Sequence, residues 1–351
     1  MLTTNTAAVT HFSGACDWLG ATSSERPAWL ALRKGLITAS DVACIMGEVP
    51  QRSPMAVYVE KRRELAANDE ALSLDDPRFW GNVIEQPMLR AVAEYHGWEY
   101  FPGGALLRSK QYPFIGATLD AEINRGDGLW LDFEGKTTEL MGEWDEETGK
   151  LPDRVLIQVQ TQLLVSRAPL AIVFALLRRY KSVQIDVPPS PELQEVIIEH
   201  CEWFMDLLRR RTPPPVDATE SCRMALNELH PAGDGTVVDL PGDALEWTRD
   251  INEINEQLRK LESQKAHLRN TIRAHIGPAT YGALPEPVDG KSCWRWAGKD
   301  GGRTLLALKH TPNRLMKLPA PRVETIADQL ERSLEHAQVI PIRKKRRKAK
   351  R

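Results

Sequence analysis

The chain has 351 residues, 42% of them hydrophobic, with a formal net charge of −2 and no apolar run of membrane-spanning length. Five scattered cysteines (Cys16, Cys44, Cys201, Cys222 and Cys293) include no C-x-x-C pair, which argues against a disulfide framework, a zinc site or an iron–sulphur cluster. The charge is uneven: residues 343–351, RKKRRKAKR, hold eight basic residues and no acid, which leaves about −10 for residues 1–342. Such a tail attracts a phosphate backbone without reading its sequence, or only keeps the protein in solution. The N-terminus has no basic stretch leading into an apolar one, so a cytoplasmic location is expected.

In chain order, residues 1–25 read as irregular. After Pro27 an apolar helical pattern runs into ITASDVACIMG, where Thr38, Ser40 or Asp41 can cap a short helix. Residues 54–67 read as a helix begun by Pro54, and 68–78 as an acidic loop. Residues 80–97 read as a helix ended by Gly97. An unkinked helix there needs Pro87 in its first turn, which puts Glu85 at or just before the N-terminus. From residue 98 the period changes to two. Strands are expected over 98–107, 113–123 and 129–136, with turns at Pro102-Gly103-Gly104 and at 124–128. A loop rich in acids follows (Glu139, Glu143, Asp145, Glu146, Glu147), facing solvent or acting as a gate. Then come a buried helix from Arg154 to Ser166, strands over 170–178 and 181–187, a helix over 190–211 and a stiff TPPPVD segment.

The second half differs. Trp247, Ile251, Ile254, Leu258, Leu261, Leu268 and Ile272 follow steps of four and three, with Lys265 the one polar intrusion. That is a coiled-coil seam, which needs another copy or another helix of the chain as partner. The expected organisation is a domain over 26–217, a linker over 218–243, the coiled-coil helix over 244–276, a β-hairpin unit over 277–320, a short helix over 321–342 and the basic tail.

The stretch 129–136, LWLDFEGK, carries the chemistry. Leu129, Leu131 and Phe133 share one strand face; Trp130, Asp132, Glu134 and Lys136 share the other. A solvated face would look the same. Asp120, at the end of FIGATLD, lies on the preceding strand, and the NRGDG turn would bring it beside Glu134. Paired carboxylates repel unless a cation stands between them, and a hard cation such as Mg²⁺ suits oxygen ligands. Lys136, on the same face, could offset charge on a phosphate.

Asp120 with Glu134-Gly135-Lys136 resembles the D…E-x-K motif of the PD-(D/E)XK nucleases. Four further stretches, in order, resemble the YqaJ / lambda-exonuclease group: RPAWLALRKGLITASD, WGNVIE, LPDRVLIQVQTQLLVS and the run up to PPPVD. The likeness covers about residues 25–217, and the coil and hairpin more loosely. It implies an α/β (α+β) restriction-endonuclease-like core, a mixed sheet flanked by helices, followed by a coiled-coil helix and a small β-hairpin unit. It implies metal-dependent cleavage of DNA. Asp120, Glu134 and the Gly135 carbonyl would ligate metal, with Glu85 on a second ion directly or through water. Lys136 would orient the nucleophilic water, and Gln158 would contact that lysine or the scissile phosphate. Arg33 would bind a 5′-phosphate, Thr38 and Ser40 would line the phosphate track, and Gln160 would be a weaker second glutamine. The cofactor implied is Mg²⁺, as one or two ions, with Mn²⁺ as substitute and no iron–sulphur cluster.

Two positions depart from the family pattern. Leu119 replaces a common proline, and Val155 replaces a tyrosine, so that hydroxyl is absent. Taken singly, Glu85 could cap a helix, Gln158 could be a buried structural amide, Arg33 a surface charge and Trp29 a packing residue. The function implied is a 5′→3′ exonuclease that resects duplex ends in phage-type recombination. It would be a homo-oligomer working beside a single-strand annealing protein, with no membrane association. The alternatives are an endonuclease or nickase with the same site, and a non-catalytic DNA-binding scaffold.

Overall fold

The computed structural model describes residues 10–21, 31–63, 73–138, 142–298 and 302–309. The chain divides into two units, Met1–Gly235 and Thr236–Arg351.

The first unit is mixed α/β. Its elements in order are β1 (Cys16–Ala21), β2 (Ile37–Thr38), α1 (Ala39–Ile45), α2 (Pro54–Arg62), α3 (Pro77–His96), β3 (Glu99–Pro102), β4 (Ala105–Ser109), β5 (Ile115–Thr118), β6 (Ala121–Asn124), β7 (Trp130–Thr138), α4 (Asp153–Ser166), β8 (Ala171–Leu177), β9 (Ser182–Val187), α5 (Pro191–Arg210) and α6 (Glu220–Leu229). The main sheet runs β3-β6-β7-β8-β9; a smaller one runs β1-β4-β5-β2. β7 pairs antiparallel with β6 and parallel with β8, so α4 supplies the crossover that a parallel pair needs.

Both faces of β7 are covered. Leu131 and Phe133 pack with Leu89, Ala93, Ile123 and Ile172 beneath α3. On the alternate face Asp132 and Glu134 are 0% exposed, so the polar face of the strand is buried rather than solvated. Gly135 marks the closest approach of α3: a Cβ there would stand 3.1 Å from Met88 Cε and 3.2 Å from Leu89 Cγ.

Several expectations shift. The supposed irregular N-terminus contains β1, paired with β4. The strand expected over 113–123 is two strands, because the chain leaves the small sheet after β5 and enters the main sheet at β6. α3 begins before its expected start and runs through Pro87. Pro87 and Val83, whose carbonyl loses its bond, both lie on the exposed side, where solvent can serve that carbonyl. The expected linker contains α6. Thr219 caps it by accepting from Cys222 N at 3.0 Å, and Cys222 and Ala225 are buried in the core that includes Tyr58 and Val59 of α2. That segment therefore belongs to the first unit.

The second unit holds α7 (Ala244–Ile276) and the antiparallel strands β10 (Tyr281–Val288), β11 (Lys291–Ala297) and β12 (Thr304–Leu308). The hairpin expected over 291–308 is present as β11–β12, with β10 added on its far side. Trp247, Ile251, Ile254, Leu258, Leu261 and Leu268 are between 51% and 62% exposed. The basic tail, the short helix over 321–342, Trp29 and Glu139 lie outside the described residues. Among the described residues no helix is long and apolar enough to cross a membrane.

Candidate functional site

The site forms where the chain changes sheets. Asp120 follows β5 and precedes β6, and the Pro102-Gly103-Gly104 turn pins its backbone: Gly103 N donates to the Asp120 carbonyl at 3.1 Å and Gly104 N to that of Leu119 at 2.9 Å. Gly103 has to be glycine, since a Cβ would lie 2.0 Å from the Leu119 oxygen. The Gln86 amide also donates to the Asp120 carbonyl, and Tyr100 Oη donates to Gln86 Oε1 at 2.7 Å. The Asp120 carboxylate accepts from Gly135 N at 2.9 Å, which locks it against β7.

Glu134 is the hub. Lys136 Nζ and Gln158 Nε2 donate to Oε1, the latter at 2.6 Å, while Gln162 Nε2 donates to Oε2 at 2.7 Å. Glu85, half-buried on α3, hydrogen bonds the Asp120 carboxyl. Burial first, then the Glu134 charge, raises the pKa of both Asp120 and Glu85 above the ordinary carboxylate value, and for Asp120 the shift is large. Burial alone would lower the pKa of Lys136, but Glu134 and Asp120 outweigh it and hold the ammonium charged. Glu85, Asp120, Glu134, Lys136 and Gln158 are therefore brought together.

Metal fit follows from the donor set. Excess buried negative charge built from oxygen donors is what a hard divalent cation relieves. Among the described residues no three His, Cys, Asp or Glu side chains converge as closely as an ion would draw them. Amide and ammonium groups occupy the Glu134 oxygens, and Glu85 is hydrogen bonded to Asp120.

The glutamines sort differently from expectation. Gln160 is 1% exposed, donates to the Pro188 carbonyl and accepts from Ser190 N, both at 2.8 Å, so it fastens the start of α5 and does not reach the site. Gln162 takes the second place. The signal was there: residues four apart share a helix face, and residues two apart do not.

Around α1, Arg33 Nη2 donates to Ser40 Oγ at 2.6 Å. Thr38 is buried, and its hydroxyl donates to Asp41 Oδ2 at 2.7 Å, which occupies it structurally. Asp41 is 0% exposed. Despite its burial, Lys61 (2.8 Å) and Arg52 (2.8 Å) hold its carboxyl well below the usual range, so this ion cluster anchors the turn that presents Ser40. A cavity of about 260 Å³ joins Ser40 to Lys136 and Gln158, with Trp144, Val155 and Arg154 among its walls.

Sequence reasoning assigned no role to Asp132. It is fully buried on the Glu134 face, opposite Glu122 on β6, and among the described residues no side chain hydrogen bonds either of its oxygens. Burial, then Glu134 and Glu122, pushes its pKa well above the ordinary carboxylate value, which favours the neutral acid. Glu122 itself is held by Thr10 Oγ1 at 2.5 Å and by His11 N at 2.9 Å.

The chain is similar to several known proteins. An uncharacterised protein, YqaJ, of Bacillus subtilis (strain 168) is 23% identical over 274 residues, covering 77% of this chain and 83% of its own. Among solved structures, an alkaline exonuclease from Laribacter hongkongensis is 18% identical, covering 58% of this chain and 97% of its own, with a TM-score of 0.39. A phage-related exonuclease from Haemophilus somnus is 14% identical, covering 52% of this chain and 100% of its own, with a TM-score of 0.39. Residues 28–169 match the YqaJ-like viral recombinase domain, a span that contains every residue of the cluster around Glu134. Residues 28–169 of the chain are thus similar to the YqaJ-like viral recombinase domain.

Proposed function

We propose that the protein is a divalent-metal-dependent deoxyribonuclease, acting as a 5′→3′ exonuclease on duplex DNA ends in phage-type recombination beside a single-strand annealing protein. The observation that carries this reading is the buried group of Asp120, Glu134 and Lys136, with Glu85 and two glutamines converging on it. Asp120, Glu134, Glu85 and the Gly135 carbonyl would hold Mg²⁺, or Mn²⁺ in its place. When bound, the cation supplies charge neutralisation at the scissile phosphate and lowers the cost of ionising water.

The chain's own residues do the rest. Gln158 and Gln162 fix the Glu134 carboxylate from both oxygens, so it meets its ligand with little freedom left to lose. Lys136 stays cationic beside Glu134 and can face the cavity with a permanent charge for a phosphate oxygen. Ser40 in the cavity wall and Arg33, bonded to it, supply polar groups for a terminal phosphate, which favours end recognition over internal cutting. The α7 seam is the surface by which copies would associate.

Digestion of a 5′-phosphorylated linear duplex beside the same DNA as a closed circle tests the reading. Loss of the linear form alone, from the phosphorylated 5′ end, is expected. Cutting of the circle would move the protein to the endonuclease class.

A further inference from the structure

Glu143 and Trp144, on the acidic loop after β7, and Arg154, at the start of α4, have no part in the chemistry above. Yet Trp144 and Arg154 wall the same cavity as Ser40, Lys136 and Gln158. The loop that carries Trp144 is built, not incidental. Asp145 and Lys150 exchange backbone hydrogen bonds of 2.9 and 2.8 Å, and Asp145 Oδ1 accepts from Glu147 N at 3.0 Å.

Trp144 is 7% exposed, and its indole N–H has no acceptor among the described residues. An indole nitrogen only donates, and a buried donor left unpaired is a standing cost to the fold. What completes it is an acceptor. Arg154 is held differently. Its Nη2 bonds Glu143 Oε2 at 2.8 Å, with the two side chains 36% and 42% exposed, so solvent screens the pair and little holds it closed. Arg154 stands in the first turn of a 14-residue helix, whose dipole favours an anion, and the cavity it shares with Trp144 is also walled by the charged Lys136.

We propose that this cavity is a phosphate site for the DNA substrate, formed by the Arg154 guanidinium and the Trp144 indole N–H. Glu143 is a placeholder carboxylate that the phosphate displaces. The proposal rests on the nuclease reading and names how that site takes its substrate. It also gives the acidic loop a purpose: a carboxylate keeps the guanidinium ordered and raises the threshold for weak anions, while a phosphate, which accepts from both donors at once, exchanges with it.

The test is fluorescence anisotropy of labelled duplexes with 5′-phosphate or 5′-hydroxyl ends, without a divalent cation so that nothing is cut. Arg154→Ala should weaken binding about tenfold, the loss of one charge-assisted contact, and Arg154→Lys should recover part of it. Trp144→Phe, which keeps a ring and removes only the N–H, should also weaken binding. Glu143→Gln should tighten it, and should have no effect in the Arg154→Ala background. Loss confined to the phosphorylated duplex assigns the site to the terminal phosphate; equal loss on both assigns it to an internal one. If wild type binds and Arg154→Ala and Trp144→Phe bind both duplexes as wild type does, the phosphate site is wrong. Wild type that binds, responds to these substitutions and yet cuts nothing with any divalent cation would overturn the nuclease reading alone.

Discussion

At the scale of single residues, the site depends on how α4 spaces its amides. Gln158 and Gln162 hold opposite oxygens of Glu134, while Gln160 serves α5. Gln162→Leu should therefore reduce cleavage about 100-fold, the cost typical of losing one buried positioning donor, with little change in DNA affinity. Gln160→Leu should leave turnover alone and lower the melting temperature; single-turnover kinetics and calorimetry separate the two. Asp132 offers a second test. Burial and its acidic neighbours push its pKa well above the ordinary carboxylate value, which favours the neutral form in the fold. The native state therefore keeps a proton that the unfolded chain releases above the ordinary carboxylate range, and stability falls as pH rises through that interval. Asp132→Asn removes this loss. It should stabilise the protein by about 1–3 kcal/mol at pH 8, the usual scale for a buried unpaired polar group, and the gain should vanish below about pH 4. Denaturant melts at both pH values decide it; a variant less stable at pH 8 would show that the carboxylate is worth keeping.

At the scale of elements, the part of the site carried by local pattern was legible. The alternation of 129–136 placed Asp132, Glu134 and Lys136 on one face, the NRGDG turn brought Asp120 beside them, and Glu85 was implied only by the family resemblance. What the pattern could not give was what lay over that face. A strand with acids on alternate positions looks the same under solvent or under a helix, and only the parallel pairing of β7 with β8 puts α4 there. The sheet switch at Asp120 was hidden for a similar reason: one continuous apolar run, FIGATLD, feeds two sheets, and nothing local distinguishes β5 from β6. α6 was missed because a single short helix between a proline-rich and a glycine-rich stretch reads as linker until its partner, α2, is known. The α3–β7 contact makes an element-scale prediction. Gly135→Ala brings a methyl within 3.1 Å of Met88 Cε, so it should cost about 1–3 kcal/mol of overpacking, and Met88→Ala in the same chain should recover part of it.

At the scale of the whole molecule, six large apolar side chains along α7 stand at least half exposed. Their four–three spacing fits a second helix, and a lysine within the seam is a device that fixes register at some expense of stability. Leu258→Glu together with Leu261→Glu should shift the protein to a smaller species in sedimentation velocity, without changing the chemistry at Glu134. An unchanged sedimentation coefficient would remove the seam as an assembly surface.

The central claim is that Glu134 and its neighbours form a metal-dependent hydrolytic site, and the most direct test is cleavage of linear duplex DNA in Mg²⁺ by wild type beside Glu134→Gln. The account predicts that wild type degrades the duplex and that the variant, folded as judged by circular dichroism, is slower by at least ~100-fold. Equal rates for the two proteins would contradict it.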